Sequence, residues 1–359
     1  MIEAGIRQDN TWLVVDPIVG CSNNCQYCFL QSYNQATKGG KIFFSPEEAV
    51  EKLMNYWAFS DVSFPMIGSE TDMFLNDTNI AYLEKFIDVY ASKKIKNPLC
   101  ISTKCHIPDS FIDFIKKYED TKFIFYISYS GLPASIEPKV NRVSIISNFK
   151  RLANIGHNPI HLFRPITPHN SSIEIFRKIL GDVSDYASCS VLRGLNLNPK
   201  LQEKIWFWDE ARNGKFDFSK TVSIYPKGWQ ENLLEARKVV PDYPIFLSSS
   251  CAIAYKMNNP EFVGSYGTVQ CSNSQCPEHQ MKICNSAKIK DVSIILSKLG
   301  LNNNVFFDEE NKRIRVSGEL THEQVAYISQ QIQNRIFVES IKSEHEWGGY
   351  VLGHTDTEI

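Results

Sequence analysis

The sequence predicts an α/β fold: a parallel sheet with helical crossovers forming a partial (β/α)6 barrel of TIM type, then a Cys-rich loop and a small C-terminal α+β unit. Two observations predict it. Short β-branched and aromatic runs alternate with amphipathic stretches through the first two thirds of the 359 residues. Alternation of this kind requires parallel pairing through crossovers. Beyond that region the periodicity gives way to turn residues and cysteines.

Runs at 13–15, 63–67, 99–102, 123–128, 160–166 and 188–192 are the expected strands. Helices are expected to begin at Ser45-Pro46, where Glu48 completes a capping-box spacing, and at Asn79, Asp109 and Asn141. In a barrel of this type the chemistry sits at the C-terminal ends of the strands. Past Leu195 the chain carries Trp206, Phe207, Trp208, Phe216 and Phe218, then a helix from Trp229 and a strand at 245–247 expected to close the barrel. Residues 264–284 are rich in Gly, Ser, Asn and Cys and read as a loop organised by turns and ligands. A helix near 291–299, a hairpin over 305–317 turning at Glu310-Asn311, and a helix from Thr321 make up the last unit. The expected domains are therefore 1–250, 251–284 and 285–359.

Hydrophobic residues at 43% and charged residues at 22% suit a folded globular chain and exclude a disordered one. A formal charge of -2 supplies no global cationic field for phosphate backbones. The opening MIEAGIRQDNTWLVVDP lacks a basic start and a long apolar run, and no membrane span is expected anywhere, so the expected compartment is the cytoplasm. In a reducing compartment the ten cysteines read as metal ligands, buried apolar groups or reactive thiols, not disulfides.

Their clustering is informative. Cys21, Cys25 and Cys28 follow CxxxCxxC spacing directly after the first expected strand, Asp16-Pro17 and Gly20. Three thiolates on so short a loop suit three corners of a 4Fe-4S cubane and leave the fourth iron open. The competing readings are a zinc site with a distant fourth ligand and three unrelated thiols.

GCSNNCQYCFLQ at 20–31 resembles the cluster loop of the radical S-adenosylmethionine (SAM) superfamily, and in detail its spore photoproduct lyase-like, DNA repair photolyase-like branch. GSETDMF at 68–74 is similar to that branch's GTxTDPF segment, ISTKCHIPD at 101–109 to its TKS segment, Ile136-Glu137-Pro138 to its LEP, and FRPITP at 163–168 to its PIIPG. Two departures stand out: Ser69 replaces the second Gly of the superfamily's GGE, and Met73 replaces the branch's Pro. The resemblance covers about half the chain and implies a bound SAM, cleaved by the reduced cluster to a 5′-deoxyadenosyl radical that abstracts a substrate hydrogen. It implies an electron donor such as flavodoxin or ferredoxin. By the same resemblance Gly68, Ser69 and Glu70 face the SAM methionine.

Around that site Tyr27 is a candidate to pack on adenine, and Ser128 and Ser130 to bond ribose hydroxyls or the SAM carboxylate, with core packing and an exposed turn as the competing readings. Lys104 and Arg164 are candidates to pair with the carboxylate, against ordinary ion pairing. Tyr126 and Tyr129 are candidates to border the substrate, and Cys105 to act as hydrogen donor or radical relay, against strand packing for the tyrosines and a buried structural thiol for Cys105 as the more ordinary readings.

A second constellation joins Cys251, Cys271, Cys276 and Cys284, with His279 in the same stretch. Its spacing suits a structural zinc or an auxiliary iron-sulfur cluster, with buried or redox-active thiols as the alternative. For the substrate, the resemblance implies a DNA lesion. Residues 285–359 carry eight Lys/Arg against eleven Asp/Glu, a balance of 8 - 11 = -3, which favours a peptide or protein instead, such as a ribosomally made precursor peptide, taken up with or without a partner protein. An iron-sulfur or zinc binding module without catalysis is the non-enzymatic alternative.

Overall fold

The computed structural model describes residues 4–36, 38–218, 222–262, 276–285, 292–308, 313–333, 336–342 and 354–355. The chain divides into two compact units, one of Met1–Arg7, Leu13–Phe216 and Val222–Tyr243, the other of Gln8–Trp12, Asp217–Thr221 and Pro244–Ile359.

In the first unit the elements run β1 (Gly5–Gln8), β2 (Leu13–Asp16), β3 (Ile18–Val19), a 3-10 turn (Phe29–Tyr33), β4 (Lys41–Ile42), α1 (Pro46–Met54), β5 (Pro65–Ile67), α2 (Asp77–Ser92), β6 (Leu99–Thr103), α3 (Asp109–Ile115), β7 (Phe123–Ser128), α4 (Arg142–Ala153), β8 (Ile160–Ile166), α5 (Ile173–Val183), β9 (Cys189–Leu197), α6 (Pro199–Gln202), α7 (Asp209–Asn213), β10 (Val222–Ile224) and α8 (Trp229–Arg237). Strands β2, β5, β6, β7, β8 and β9 pair in that order, each parallel to the next. Sequential parallel pairing follows from the crossovers: each strand returns through a helix to the next position. The strands are buried on both faces, as when helices cover a parallel sheet.

The path ends at β1 on one side and at β10, antiparallel to β9, on the other. The expected closure is therefore corrected: among the described residues the sheet is open. Strand β9 also runs past its expected end, to Leu197. Gly194 permits this, since a Cβ there would lie 2.3 Å from the carbonyl oxygen of Ile224 on β10.

Local chemistry sets the helix starts. Ser45 and Glu48 form the reciprocal capping box ahead of α1, and Asn141 caps α4. Helix α2 begins two residues before the expected Asn79. Asn76 supplies the cap, while Asn79 turns inward, 2% exposed, and donates to Thr71 Oγ1 at 3.3 Å and the Asp72 carbonyl at 2.9 Å. Each such cap contributes about 1 kcal/mol. Cys100 and Cys189 are fully buried core residues of β6 and β9.

His161, on β8, is enclosed by Ser190 Oγ at 2.7 Å and the Tyr129 carbonyl at 2.8 Å. A carbonyl only accepts, so Nε2 carries the proton. Burial pushes the ring's pKa down to about 4 from 6.5. The folded chain thus refuses a proton that the unfolded chain takes. This contribution is complete above pH 6.5 and is lost as pH falls toward 4, by roughly 3 kcal/mol in all. Urea titrations are expected to show that loss, and a His161→Asn variant to show a flatter dependence over the same interval.

The second unit contains β11 (Ile245–Phe246), α9 (Ser249–Met257), α10 (Glu278–Asn285), α11 (Val292–Lys298), β12 (Val305–Asp308), β13 (Arg313–Thr321), α12 (His322–Ile332), β14 (Ile336–Lys342) and β15 (His354–Thr355). The expected hairpin is present as antiparallel β12 and β13. Helix α12 follows a Thr321–Gln324 capping box and returns the chain to β14, parallel to β13. Ile314, Val316, Leu320, Val325, Ile328, Ile332, Ile336 and Val338 form the core between them. Helix α10 was not expected within the Cys-rich stretch. Its apolar pattern is thin, and an i,i+4 pair, Lys282 to Glu278 at 2.6 Å, supports it instead. Among the described residues no helix is long and apolar enough to cross a membrane.

Candidate functional site

The three-cysteine loop is an excursion between β3 and β4, whose antiparallel pairing, Ile18 to Ile42 and Val19 to Lys41, zips its base. Gly20 starts the excursion at φ +110°, and its N–H donates to the Glu70 carbonyl at 3.0 Å, fastening the loop to the segment after β5. Within the loop, Cys21 N donates to Gln35 O, Asn24 N to Ala36 O, and Cys28 N to Cys25 O. Burial pushes the Cys21 thiol up to about 11 and Cys28 to about 12, and Cys25 higher still. A metal bound there would have to displace protons from neutral thiols.

Three carboxylates tie this loop and the segments beside it together. Asp16, at the end of β2, is fully buried; its Oδ1 accepts from Ser69 N at 2.6 Å and Glu70 N at 3.1 Å, and its Oδ2 from Ser69 Oγ at 2.7 Å. Arg7 bridges Asp16 Oδ2 at 2.6 Å and Glu70 Oε1 at 3.0 Å. The Gly68-Ser69-Glu70 turn is thereby fixed from below. Asp72 accepts from Thr103 Oγ1 and Lys104 N, both at 2.7 Å, which ties the end of β5 to the end of β6.

Glu137 is the third. Only 3% exposed, it accepts from Lys104 Nζ at 2.9 Å, from Ser130 Oγ at 2.7 Å, and from the Tyr27 hydroxyl. Lys104 Nζ also donates to Ser128 Oγ at 2.8 Å and stands 5.2 Å from the Tyr27 ring centroid. Burial opposes both charges, but the pairing outweighs it: the Lys104 pKa rises and the Glu137 pKa falls from their ordinary values. Burial, then the adjacent Glu137 charge, drives the Tyr27 phenol well above its usual pKa. The neighbouring Ile136 carbonyl accepts from Gln26 N at 3.0 Å, so the Glu137 turn also grips the cysteine loop.

The expected residues Tyr27, Lys104 and Ser130 therefore converge on one carboxylate, and Ser128 joins them through Lys104. Arg164 lies on β8, close enough for its charge to weigh on Lys104. Cys105 follows Lys104; its Sγ lies 3.4 Å from Asn23 Nδ2 of the cysteine loop, its carbonyl accepts from Asn148 on α4 at 2.8 Å, and burial with the Asp72 charge raises its pKa. Tyr126 is fully buried, two residues before Ser128 on the same face of β7. Tyr129 points elsewhere: its hydroxyl donates to Asp182 on α5 at 3.1 Å and its ring packs by His161. Arg7, Asp16, Asp72 and Glu137 were not singled out from sequence. Asp16 ends a strand and Glu137 sits in the Ile136-Glu137-Pro138 segment, so both carried a positional signal.

Three thiols on one loop suit a cluster that offers each its own iron. Among the described residues no three His, Cys, Asp or Glu side chains converge on a single ion. In the second unit, Cys284 Sγ accepts from Glu261 N at 3.4 Å and Gln280 Nε2 at 3.3 Å, Cys251 is buried on α9, and His279 packs by Tyr255. Cys271 lies outside the described residues.

No family model matches the chain, and no curated protein is similar to it in sequence. Among solved structures, a spore photoproduct lyase variant is 14% identical over 69% of this chain and 80% of that one, with a TM-score of 0.50. Spore photoproduct lyase complexed with dinucleoside spore photoproduct is 14% identical over 64% and 74%, TM-score 0.48. Streptococcus suis SuiB bound to S-adenosylmethionine is 13% identical over 65% and 48%, TM-score 0.44. The first of these shows the fold: the chain shares the fold of spore photoproduct lyase.

Proposed function

We propose that this chain is a radical SAM enzyme acting on a peptide or protein, with its open parallel sheet serving as a partial barrel. The observation that carries the chemistry is the meeting of the Cys21, Cys25 and Cys28 loop, through Tyr27, with Lys104 and Ser130 on Glu137, and with Ser128 through Lys104. The three cysteines hold a 4Fe-4S cluster, and SAM is held by Gly68, Ser69, Glu70, Lys104, Ser128, Ser130 and Arg164. When bound and reduced, that pair supplies a 5′-deoxyadenosyl radical for hydrogen abstraction.

The chain's own residues set the geometry. Asp16 and Arg7 hold the Ser69-Glu70 turn, Asp72 orients the start of the Lys104 side chain, and Glu137 keeps Lys104 protonated. Cys105 keeps its proton at neutral pH and is positioned by Asn23 and Asn148 as a hydrogen donor; Tyr126 borders the substrate from β7. Cys251, Cys271, Cys276 and Cys284 hold a second metal, as zinc or an auxiliary cluster.

The peptide reading is supported by β12, an edge strand of the order β12-β13-β14-β15 with Phe306 and Phe307 exposed, which offers backbone groups to an extended chain. Nucleic acid is the second reading. It is favoured by a groove of about 520 Å³ that contains Glu137 and is lined by Lys139 and Arg142. Reduced with dithionite under anaerobic conditions, the iron-loaded chain is expected to form 5′-deoxyadenosine from SAM; no product would sink the proposal. Salt-sensitive binding to lesion-containing oligonucleotides, with no binding of extended peptides, would replace the first substrate with the second.

A further inference from the structure

The groove of about 520 Å³ lies in the first unit and contains Glu137, so it reaches the carboxylate that Lys104, Ser130 and the Tyr27 hydroxyl share. Its size is that of an ordinary ligand site. Its walls come from one continuous stretch, the turn before α4 and the first residues of that helix. Arg142 Nη2 donates to the Gly131 carbonyl at 3.1 Å and to the Leu132 carbonyl, which folds the turn back on the helix start. The Asn141 side chain accepts from Ser144 N at 3.2 Å and fixes that start.

Two kinds of side chain line the groove. Lys139 and Arg142 are exposed cations, and Lys139 is close enough for its charge to weigh on the Cys21 thiol. Leu132, Val140 and Val143 are apolar, and Val143 is 79% exposed. The acids within reach of these cations are already engaged. Glu137 is paired with Lys104. Asp72, whose charge also weighs on Cys21, accepts from Thr103 Oγ1 and Lys104 N. Asp182, on the Tyr129 hydroxyl that the Arg142 charge reaches, is paired with Lys178 at 2.9 Å. Those two cations suit a phosphate chain as well as a carboxylate, but the rest of the lining does not. No aromatic ring for base stacking is among the described residues that line the groove, and two cations are few for a phosphate backbone.

We infer that this groove binds the segment of the peptide substrate that flanks the reacting residue, with an acidic side chain at Lys139 and Arg142 and an aliphatic one against Val140 and Val143. The inference rests on the reading of the chain as an enzyme acting on a peptide. A segment seated there lies beside Glu137, and so beside the residues gathered on it. The cations are exposed, so their share of the binding is screened by salt, whereas the apolar share is not. Selection follows from the pairing of the two: a segment with only the acid, or only the aliphatic chain, makes half of the contact.

The test uses the iron-loaded full chain and fluorescein-labelled peptides of alternating Glu and Leu, Gln and Leu, or Glu and Gly, with labelled oligothymidylate beside them. Binding is read by fluorescence anisotropy at low and high salt. The Glu-Leu peptide is expected to bind tightest, to weaken with salt, and to bind about tenfold more weakly to Lys139→Glu and to Val143→Glu. Lys139→Arg is expected to keep wild-type binding. Both substituted side chains are exposed, and a glutamate in the first turn of α4 suits the helix dipole, so thermal melts are expected to match the wild type. Glu-Leu binding unaltered in both variants would overturn the inference and leave the peptide reading standing, with the substrate seated elsewhere. Equal binding of all three peptides by the wild type would overturn it too. A wild-type chain that binds oligothymidylate and none of the peptides would overturn the peptide reading, and this inference with it.

Discussion

A Cys25→Ser variant is expected to lose 5′-deoxyadenosine formation by on the order of a thousandfold or more, together with about four iron and four sulfide per chain. Cys25 is 6% exposed and sits between Cys21 and Cys28 on a loop closed at its base by β3 and β4. A serine hydroxyl is a far weaker ligand to iron than a thiolate, and the neighbouring Cys105 belongs to another segment, held through its carbonyl by Asn148. The same loss is expected for Cys21→Ser and Cys28→Ser, with folding intact by circular dichroism because the loop lies outside the sheet. In the triple variant the remaining metal reports the second constellation: one zinc marks a structural site, and iron with sulfide marks an auxiliary cluster. A triple variant retaining full iron, sulfide and SAM cleavage would refute the assignment of these three cysteines.

Glu137→Gln is the second large effect. The substitution leaves Lys104, whose side chain is 19% exposed, without its counter-charge and replaces one of the two oxygens that accept from Tyr27 and Ser130 with an NH2 donor. Breaking a buried pair from one side costs about 3–5 kcal/mol; partial exposure of Lys104 brings the expectation to about 2–3 kcal/mol. In denaturant titrations that loss is expected between pH 4.5 and 10.5. The sign follows from both partners. The Glu137 pKa is depressed, so its contribution fades as pH falls below the ordinary carboxylate value, and the Lys104 pKa is raised, so its contribution fades as pH climbs past the ordinary lysine value. SAM affinity is expected to fall about tenfold with it, and Glu137→Asp to recover part of both losses. Adding Lys104→Met to Glu137→Gln is expected to restore stability above either single variant. Strict additivity of the two would show that the pair is not coupled.

How much of the site was legible from sequence depended on whether its signal was local. CxxxCxxC is a local signal, because three ligands for one cluster must lie within a few residues if a single loop is to wrap it. Ser45, Asn141 and Thr321 were legible as helix starts because a cap acts on an N–H only a few residues along. Asn79 was misassigned as a start because a polar residue before an apolar run has the same pattern whether it caps or turns inward; burial against Thr71 and Asp72 made the difference.

By itself, then, the sequence determined the strand-helix alternation, the parallel sheet that alternation demands, and the three-cysteine loop that follows its first strands. What the tertiary structure decided is which distant groups meet there. Asp16 reaches Ser69 and Glu70 more than fifty residues away, and Glu137 gathers Tyr27, Lys104 and Ser130 from three separate segments. It also turned Tyr129 toward α5, although Ser128 and Ser130 on either side of it join the site. The physical reason is that a carboxylate's partners are fixed by parallel register and by burial, which forces every charge to find a counterpart wherever in the chain it lies.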